Sequence, residues 1–344
     1  MVKALVTGGT GFVGSHIVRV LTEAGHQARV LHRPSSRMDA LAGQAFESAL
    51  GDVLDEDALR EACAGCDWVF HVAAVADYWQ AEQTRMFAVN IEGTRRVLRA
   101  ARAAGVKRVV LTSSAASVGY RWDGKPADEY TRFNMSAHHF PYGYSKLLAE
   151  DVARYAVREH GQDVVIVNPV VILGPGDLNM ISGRFITEVA RLQWLVPVTS
   201  GGVGVADVRD VARWHLAAAE HGCAGERYIL GAANYSYRDW YAMVADVVGV
   251  RHPFLPLPSI ALPPLVWLVG ALRRVGVTLP VDADQARLGK RRIFFDYRKA
   301  WTAFGEPQVD MHASLRDTYQ WYLENSYLHE SRLARVVAAV GRWL

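Results

Sequence analysis

Tyr142 and Lys146 stand four residues apart in the run Tyr142-Gly143-Tyr144-Ser145-Lys146. On a helix opened by Pro141 they share one face, while Tyr144 points elsewhere. A free tyrosine has a pKa of ~10, and a neighbouring ammonium favours its charged form, so this pair predicts a phenol able to give and take a proton. Upstream, Leu111-Thr112-Ser113-Ser114-Ala115 places Ser114 at the carboxyl end of a strand, where open α/β sheets bind ligands. Its hydroxyl can donate to a substrate oxygen. Ser114, Tyr142 and Lys146 are the expected catalytic residues.

Such chemistry needs a partner that carries electrons, and the N-terminus predicts one. An apolar strand ends in Thr7-Gly8-Gly9-Thr10-Gly11-Phe12-Val13-Gly14, with Gly8, Gly11 and Gly14 at three-residue intervals where strand turns into helix. Gly8 permits the tight turn, Gly11 lets a pyrophosphate lie against bare main chain at the positive end of the helix, and Gly14 lets that helix pack closely on the sheet. The residues Gly8, Thr10, Gly11, Phe12, Val13 and Gly14 are therefore predicted to hold a dinucleotide. The second strand ends Val30-Leu31-His32-Arg33-Pro34-Ser35-Ser36-Arg37, without the acidic residue that grips a ribose 2′-hydroxyl in NAD sites. Arg33, Ser36 and Arg37 instead suit a 2′-phosphate, which predicts NADP(H) over NAD(H), with NAD(H) as the alternative. Asp52 and Val53 follow the third strand. Asp52 either accepts from the adenine amino group or caps the following turn.

The elements that must carry these residues are legible as alternating short apolar runs and longer segments of helical period. The runs are Ala4 to Thr7, Ala28 to Leu31, Phe46 to Leu50, Trp68 to Val72, Arg108 to Thr112 and Val164 to Val167. Their continuous apolar character predicts strands covered on both faces, hence an α/β, Rossmann-type doubly wound parallel sheet. Helices are expected over Gly11 to Ala24 before Gly25, over Glu56 to Cys63 after Asp55, and over Ala88 to Ala104 before Gly105. Residues 1–169 would form the dinucleotide-binding domain, with 206–231 returning to it through the helix Val208 to His221 and the strand Arg227 to Leu230. Residues 170–205 and 232–344 would form a smaller, interleaved substrate lobe.

The chain has 344 residues, 51% hydrophobic and 21% charged, with a net charge of +3, which fits a folded protein and gives no footprint for nucleic acid. Three cysteines do not form the disulfide framework of a secreted protein. Together with a first strand that leaves no room for an address label, they predict a cytoplasmic protein. Cys63-Ala64-Gly65-Cys66 has redox spacing but is expected to be a buried structural pair. His138-His139 has no matching ligand pair, so no metal is predicted. Gly289-Lys290-Arg291-Arg292 reads as a solvated turn or a grip on a substrate phosphate.

The glycine loop, Asn90 in Val89-Asn90-Ile91-Glu92-Gly93-Thr94, the serine run and Tyr142-to-Lys146 together resemble the extended short-chain dehydrogenase/reductase family, also called the NAD-dependent epimerase/dehydratase family. Likeness extends over nearly the whole chain and is greatest to dihydroflavonol 4-reductase-like and 3β-hydroxysteroid dehydrogenase-like proteins, with bacterial hopanoid-associated sugar epimerases as near neighbours. The runs carrying it begin at His71 (HVAAVADYW), Asn168 (NPVVILGPGD), Ala206 (ADVRDVA) and Gly225 (GERYILG). By that resemblance Ser114, Tyr142 and Lys146 would be the catalytic triad. Lys146 would also bind the nicotinamide ribose, and Asn90 would support the active-site strand and helix. Val72, Ala73, Ala74, Tyr142, Asn168 and Pro169 would lie at the cofactor, while Tyr78, Trp79, Asn168, Val171 and Arg184 would join Ser114 at the substrate. Dehydratases of the family would carry an Asp-Glu pair where Ala115 and Ala116 stand, so dehydration is disfavoured. A homodimer through exposed helices of the first lobe would be common in such proteins.

Residues 253–272 are uncharged and include five prolines, which break any helix long enough to span a bilayer. They form a core or pocket wall, a monotopic contact or a subunit interface, each favouring an apolar substrate. Residues 251–344 carry 13 basic and 8 acidic side chains, and Leu333, Val336, Val337, Val340 and Leu344 make an apolar helical stripe. Packing on its own lobe is the default for this stripe, and peripheral contact with an anionic membrane is the alternative. The sequence thus predicts an NADP(H)-dependent oxidoreductase that interconverts a small, largely apolar ketone and its alcohol. The alternative is an NAD-dependent nucleotide-sugar 4-epimerase, toward which Asn168 before Pro169 leans.

Overall fold

The computed structural model of the chain describes residues 1–76, 82–178, 180, 183–255 and 289–328. In chain order the first lobe runs β1 (Lys3–Thr7), α1 (Phe12–Glu23), β2 (Gln27–His32), β3 (Glu47–Leu50), α2 (Glu56–Cys63), β4 (Trp68–His71), α3 (Gln83–Phe87), a π-helical turn (Ala88–Gly93), α4 (Thr94–Ala103), β5 (Arg108–Thr112), α5 (Pro141–His160) and β6 (Val164–Pro169). The second part runs β7 (Val171–Leu173), α6 (Arg184–Leu192), β8 (Gly202–Asp207), α7 (Val208–His221), β9 (Arg227–Leu230), β10 (Ala233–Ser236) and α8 (Tyr237–Val248). Helices Arg298–Phe304 and Met311–Glu324 follow.

Seven strands form one parallel sheet in the order β3-β2-β1-β4-β5-β6-β9. Alternate side chains go to opposite faces, which is why each strand is apolar along its length. Val110 packs with α1 and α7 on one side, whereas its neighbours Val109 and Leu111 pack with α2, α4 and α5 on the other. Each fully buried aliphatic side chain of this kind stabilises the fold by about 1.5–3 kcal/mol. The order reverses between β1 and β4, so the carboxyl ends of these strands open a crevice there.

Caps stand where the residue types require them. Asp55 accepts from the N–H groups of Asp57 and Ala58, and α1 and α4 stop just before Gly25 and Gly105. One predicted helix differs. Ala88 to Ala104 was expected as a regular helix, but it begins earlier, as α3, and passes through the π turn before α4. Long-range bonds of Asn90, described below, hold that turn, and hydrophobic period alone carries no sign of them.

After Pro169 the chain leaves the main sheet at once, and β7 pairs with β8 in a second, three-stranded sheet of order β10-β8-β7. The helices α6, α8 and Met311–Glu324 cover it through Leu173, Val205, Trp240 and Leu315. Between these pieces α7 returns to pack on α1, and β9 adds to β6. The helix Arg298–Phe304 also returns, burying Ala300 and Phe304 with the first core, although the sequence placed all of 232–344 in the substrate lobe. Among the described residues no helix is long and apolar enough to cross a membrane. Most of the apolar run 253–272 and the stripe from Leu333 to Leu344 lie outside the described residues.

Candidate active site

A cavity of about 880 Å³ runs from the glycine loop, past the ends of β1, β4, β5 and β6, to the second lobe. Gly8 turns with φ 72°, and a Cβ there would come within 2.7 Å of the backbone nitrogen of Ala73. At Gly14 a Cβ would collide with the carbonyl oxygen of Gly8. Gly11 caps α1 without any side-chain oxygen, so no cap occupies the N–H groups of the first turn. This cradle of bare backbone at a helix N-terminus fits the pyrophosphate of a dinucleotide. Thr10, Phe12, Val13, Val72, Ala73 and Ala74 line the same stretch.

Arg33, Ser35, Ser36, Arg37, Asp52 and Val53 line the far end. The Ser36 hydroxyl accepts from Arg33 N at 3.1 Å, and the Arg37 guanidinium pairs with Asp39 at 2.9 Å. The Arg33 guanidinium makes no ion pair among the described residues. Asp52 Oδ1 accepts from Leu54 N at 3.0 Å, so it caps its turn while it faces the cavity.

Behind the loop a chain of hydrogen bonds crosses the sheet. Ala73 N donates to Thr7 Oγ1 at 3.3 Å, which lies 2.8 Å from His71 Nδ1; His71 Nε2 lies 3.1 Å from Thr94 Oγ1, which donates to the Asn90 carbonyl at 2.6 Å. The directions at both ends fix the ring with its proton on Nε2. Burial pushes the His71 pKa down to about 3, and the Lys146 charge adds to this, so the ring stays neutral. Asn90 Oδ1 accepts from Val75 N at 2.8 Å, and its Nδ2 donates to Ser145 Oγ at 3.0 Å. Asn90 is buried behind the cavity wall and ties the π turn to α5.

Ser114, Tyr142 and Lys146 all line the cavity. Ser114 Oγ accepts from Ala116 N at 3.2 Å, which leaves its own proton to donate outward. Pro141 is the first residue of α5, as predicted, and puts Tyr142 and Lys146 one turn apart. Tyr144 instead meets Phe87 and Phe133, with ring centroids 6.3 Å away in each case. Lys146 Nζ donates to the Thr112 carbonyl at 2.7 Å. Burial lowers its pKa to about 8, with Glu150 opposing.

Two of the expected site residues are elsewhere. Asn168 is fully buried beneath the wall, where its amide donates to the Ser114 carbonyl at 3.1 Å and to Glu150 at 2.6 Å, and it does not line the cavity. Arg184 opens α6 on the protein exterior, and its neighbour Phe185 faces the cavity instead. Pro169 and Val171 line it as expected, while Tyr78 and Trp79 lie outside the described residues. Sequence reasoning missed Met135, Phe140, Asp177, Leu178, Tyr237 and Phe295, which also line the cavity and come from loops and elements distant in the chain. Glu150 was also missed, although its position one turn after Lys146 in a helix marked it.

Cys63 and Cys66 are both buried and free, and burial raises both thiols, Cys63 to about 12, which leaves them inert as nucleophiles. Arg291 stacks over Trp122 and Tyr120 at 4.4 and 5.1 Å, so this part of the basic turn is occupied by cation–π contacts.

A parallel sheet with a bare glycine cradle, and a serine, tyrosine and lysine opening on the same cavity, define an enzyme that works with a nicotinamide dinucleotide. Residues 4–231 match the model of the NAD dependent epimerase/dehydratase family, and the chain belongs to that family. It is an oxidoreductase of the extended short-chain dehydrogenase/reductase type. A putative dihydroflavonol 4-reductase of Synechocystis sp. is 36% identical over 329 residues, covering 94% of this chain and 95% of that protein. Sterol demethylase protein B of Methylococcus capsulatus is 36% identical over 274 residues, 78% of this chain and 82% of that one. The crystal structure of gox2253 superposes with a TM-score of 0.84 at 34% identity, covering 96% of this chain and all of that one.

Proposed function

We propose that the protein is an NADP(H)-dependent reductase that interconverts a small, largely apolar ketone and its alcohol. The observation that carries this reading is the lining of the cavity: Met135, Phe140, Val171, Leu178, Phe185 and Phe295 share it with Tyr142 and Ser114 and are apolar or aromatic, with Asp177 and Tyr237 as polar groups among them. The names of the dihydroflavonol reductase and sterol demethylase relatives point the same way. Bound in the cleft, the nicotinamide would supply the hydride equivalent. Ser114 Oγ donates to the carbonyl oxygen and orients it, and Tyr142 gives that oxygen its phenolic proton. The Lys146 ammonium donates to the Thr112 carbonyl and would turn its other donors to the phenolate and the ribose. Arg33, Ser36 and Arg37 would hold the 2′-phosphate that sets NADP(H) apart from NAD(H).

Asn168, the residue that leaned toward a nucleotide-sugar epimerase, has its amide turned to Ser114 O, Ser117 and Glu150 and has no place in the cavity. Heating the purified protein and identifying the released nucleotide separates the two readings. A reductase releases little, and an unheated sample oxidises NADPH with a ketone from a panel of rising size and apolar area. Stoichiometric bound NAD(H), with no NADPH oxidation across the panel, would replace this reading by the epimerase.

A further inference from the structure

One turn beyond Lys146 lies a buried carboxylate that the proton-transfer scheme leaves unused. Glu150 is fully buried, and at that depth burial opposes its charge; Arg227, the Ser113 and Ser117 hydroxyls and Arg154 overcome this and hold the carboxyl below its ordinary range. Its Oε1 accepts from Ser113 Oγ at 2.6 Å and Asn168 Nδ2 at 2.6 Å, with Ser117 Oγ at 2.5 Å. Its Oε2 accepts from Arg154 at 2.6 Å and Arg227 at 3.2 Å. The same partners reach Ser114, because Asn168 Nδ2 lies 3.1 Å and Ser117 Oγ 2.7 Å from the Ser114 carbonyl oxygen. Arg227 in turn donates to the carbonyls of Glu129 and Thr131, which ties β9 and the loop before α5 into the cluster. Tyr142, Lys146 and Glu150 thus occupy successive turns of α5, and the loop that presents Ser114 is fastened to the last of them.

We propose that Glu150 is a positioning residue: its carboxylate locks the Ser114 loop onto the Tyr142–Lys146 face of α5 and supplies the negative charge beside which Lys146 remains an ammonium inside the protein. The inference rests on the Ser114–Tyr142–Lys146 reading above. The groups around Lys146 leave the charge to Glu150. From β5 comes the neutral Thr112 carbonyl, from β4 the neutral His71 ring, and from α5 Tyr142 and Glu150. Around Glu150 stand Arg227 from β9, Arg154 from α5, Ser113 and Ser117 from the end of β5, and Asn168 from β6. A neutral amide at position 150 removes the charge that favours the Lys146 ammonium and leaves burial, which disfavours it, unopposed.

The test is the titration of Lys146 by NMR in the full-length, cofactor-free protein labelled with ¹³C at lysine Cε, the resonance being identified by its loss in Lys146→Met. In the unaltered protein the midpoint is expected near 8. In Glu150→Gln it falls by about one pH unit or more, and in Glu150→Asp, which keeps the charge, it stays near that of the unaltered protein. A folded Glu150→Gln protein with an unmoved midpoint overturns the proposal. If that variant does not fold, Glu150→Asp carries the test alone: it keeps the charge, and a midpoint lowered there by about one pH unit or more overturns the proposal. No substrate is needed, so the result is separate from whether a ketone is reduced: turnover surviving in Tyr142→Phe would end the catalytic reading and leave the titration as measured.

Discussion

The side-chain amide of Asn90 donates to the hydroxyl of Ser145 across 3.0 Å, although 55 residues separate them in the chain. That hydroxyl donates in turn to the Tyr142 carbonyl at 2.7 Å, so the π turn after β4 holds the first turn of α5. The placement of Tyr142 thus depends on a residue that does not line the cavity.

Asn90→Ala removes the bond to Ser145 and leaves the part-buried N–H of Val75 without its acceptor. A loss of about 1–3 kcal/mol in stability is expected from the unsatisfied group. A fall in turnover larger than the fall in NADPH affinity should accompany it. Denaturant unfolding and a fluorescence titration with NADPH measure the two effects separately.

Lys146 predicts how reduction responds to pH. Its pKa is lowered to about 8, so the ammonium is present below that value and lost above it. Ketone reduction should therefore be level up to about pH 7 and decline through pH 8 to 9. A rate that rises through this window would contradict the assigned part of Lys146.

His71 and His215 are both fully buried, and burial pulls their pKa values down to about 3 and about 4. In the unfolded chain both take up a proton near 6.5, so the unfolded state binds more protons on the acid side. Stability is then complete above pH 6.5 and falls as pH drops toward 4, at up to about 1.4 kcal/mol per pH unit for each histidine. Thermal melts from pH 7 to 4 check this, and His215→Gln should flatten the slope if Thr112 keeps its partner.

At the far end of the cavity the Arg33 guanidinium makes no ion pair among the described residues, whereas Arg37 already binds Asp39. Arg33→Ala should weaken NADPH by about tenfold to a hundredfold, the loss of one or two charge-assisted hydrogen bonds, and leave NADH nearly unchanged. Equal weakening of both nucleotides would place the 2′-phosphate elsewhere.

Much of this was legible in the sequence because the signals were local. Gly8, Gly11 and Gly14 announce the cradle by spacing, and the six apolar runs announce the central sheet by being apolar on both faces. Tyr142 and Lys146 need only a helix between them to meet. What escaped is made by contacts distant in the chain. The π turn depends on bonds from Asn90 to Val75 and Ser145, which no window of residues contains. Family resemblance makes Asn168 a cavity residue, but the buried Glu150 and the Ser114 carbonyl take its amide inward. Arg184 and Phe185 differ by one helical position, about a hundred degrees of rotation, and only the packing of α6 on the second sheet decides which faces the cavity.

The whole account turns on the Tyr142 hydroxyl as the proton donor beside the nicotinamide. The most direct test is NADPH oxidation by Tyr142→Phe with the ketone that the unaltered protein reduces, alongside NADPH binding to the same variant. The account predicts a loss of at least about a hundredfold in turnover, the lower end of what a positioned acid contributes, with NADPH affinity within a few-fold of the unaltered protein. Turnover retained at full rate by a variant that still binds NADPH would contradict it.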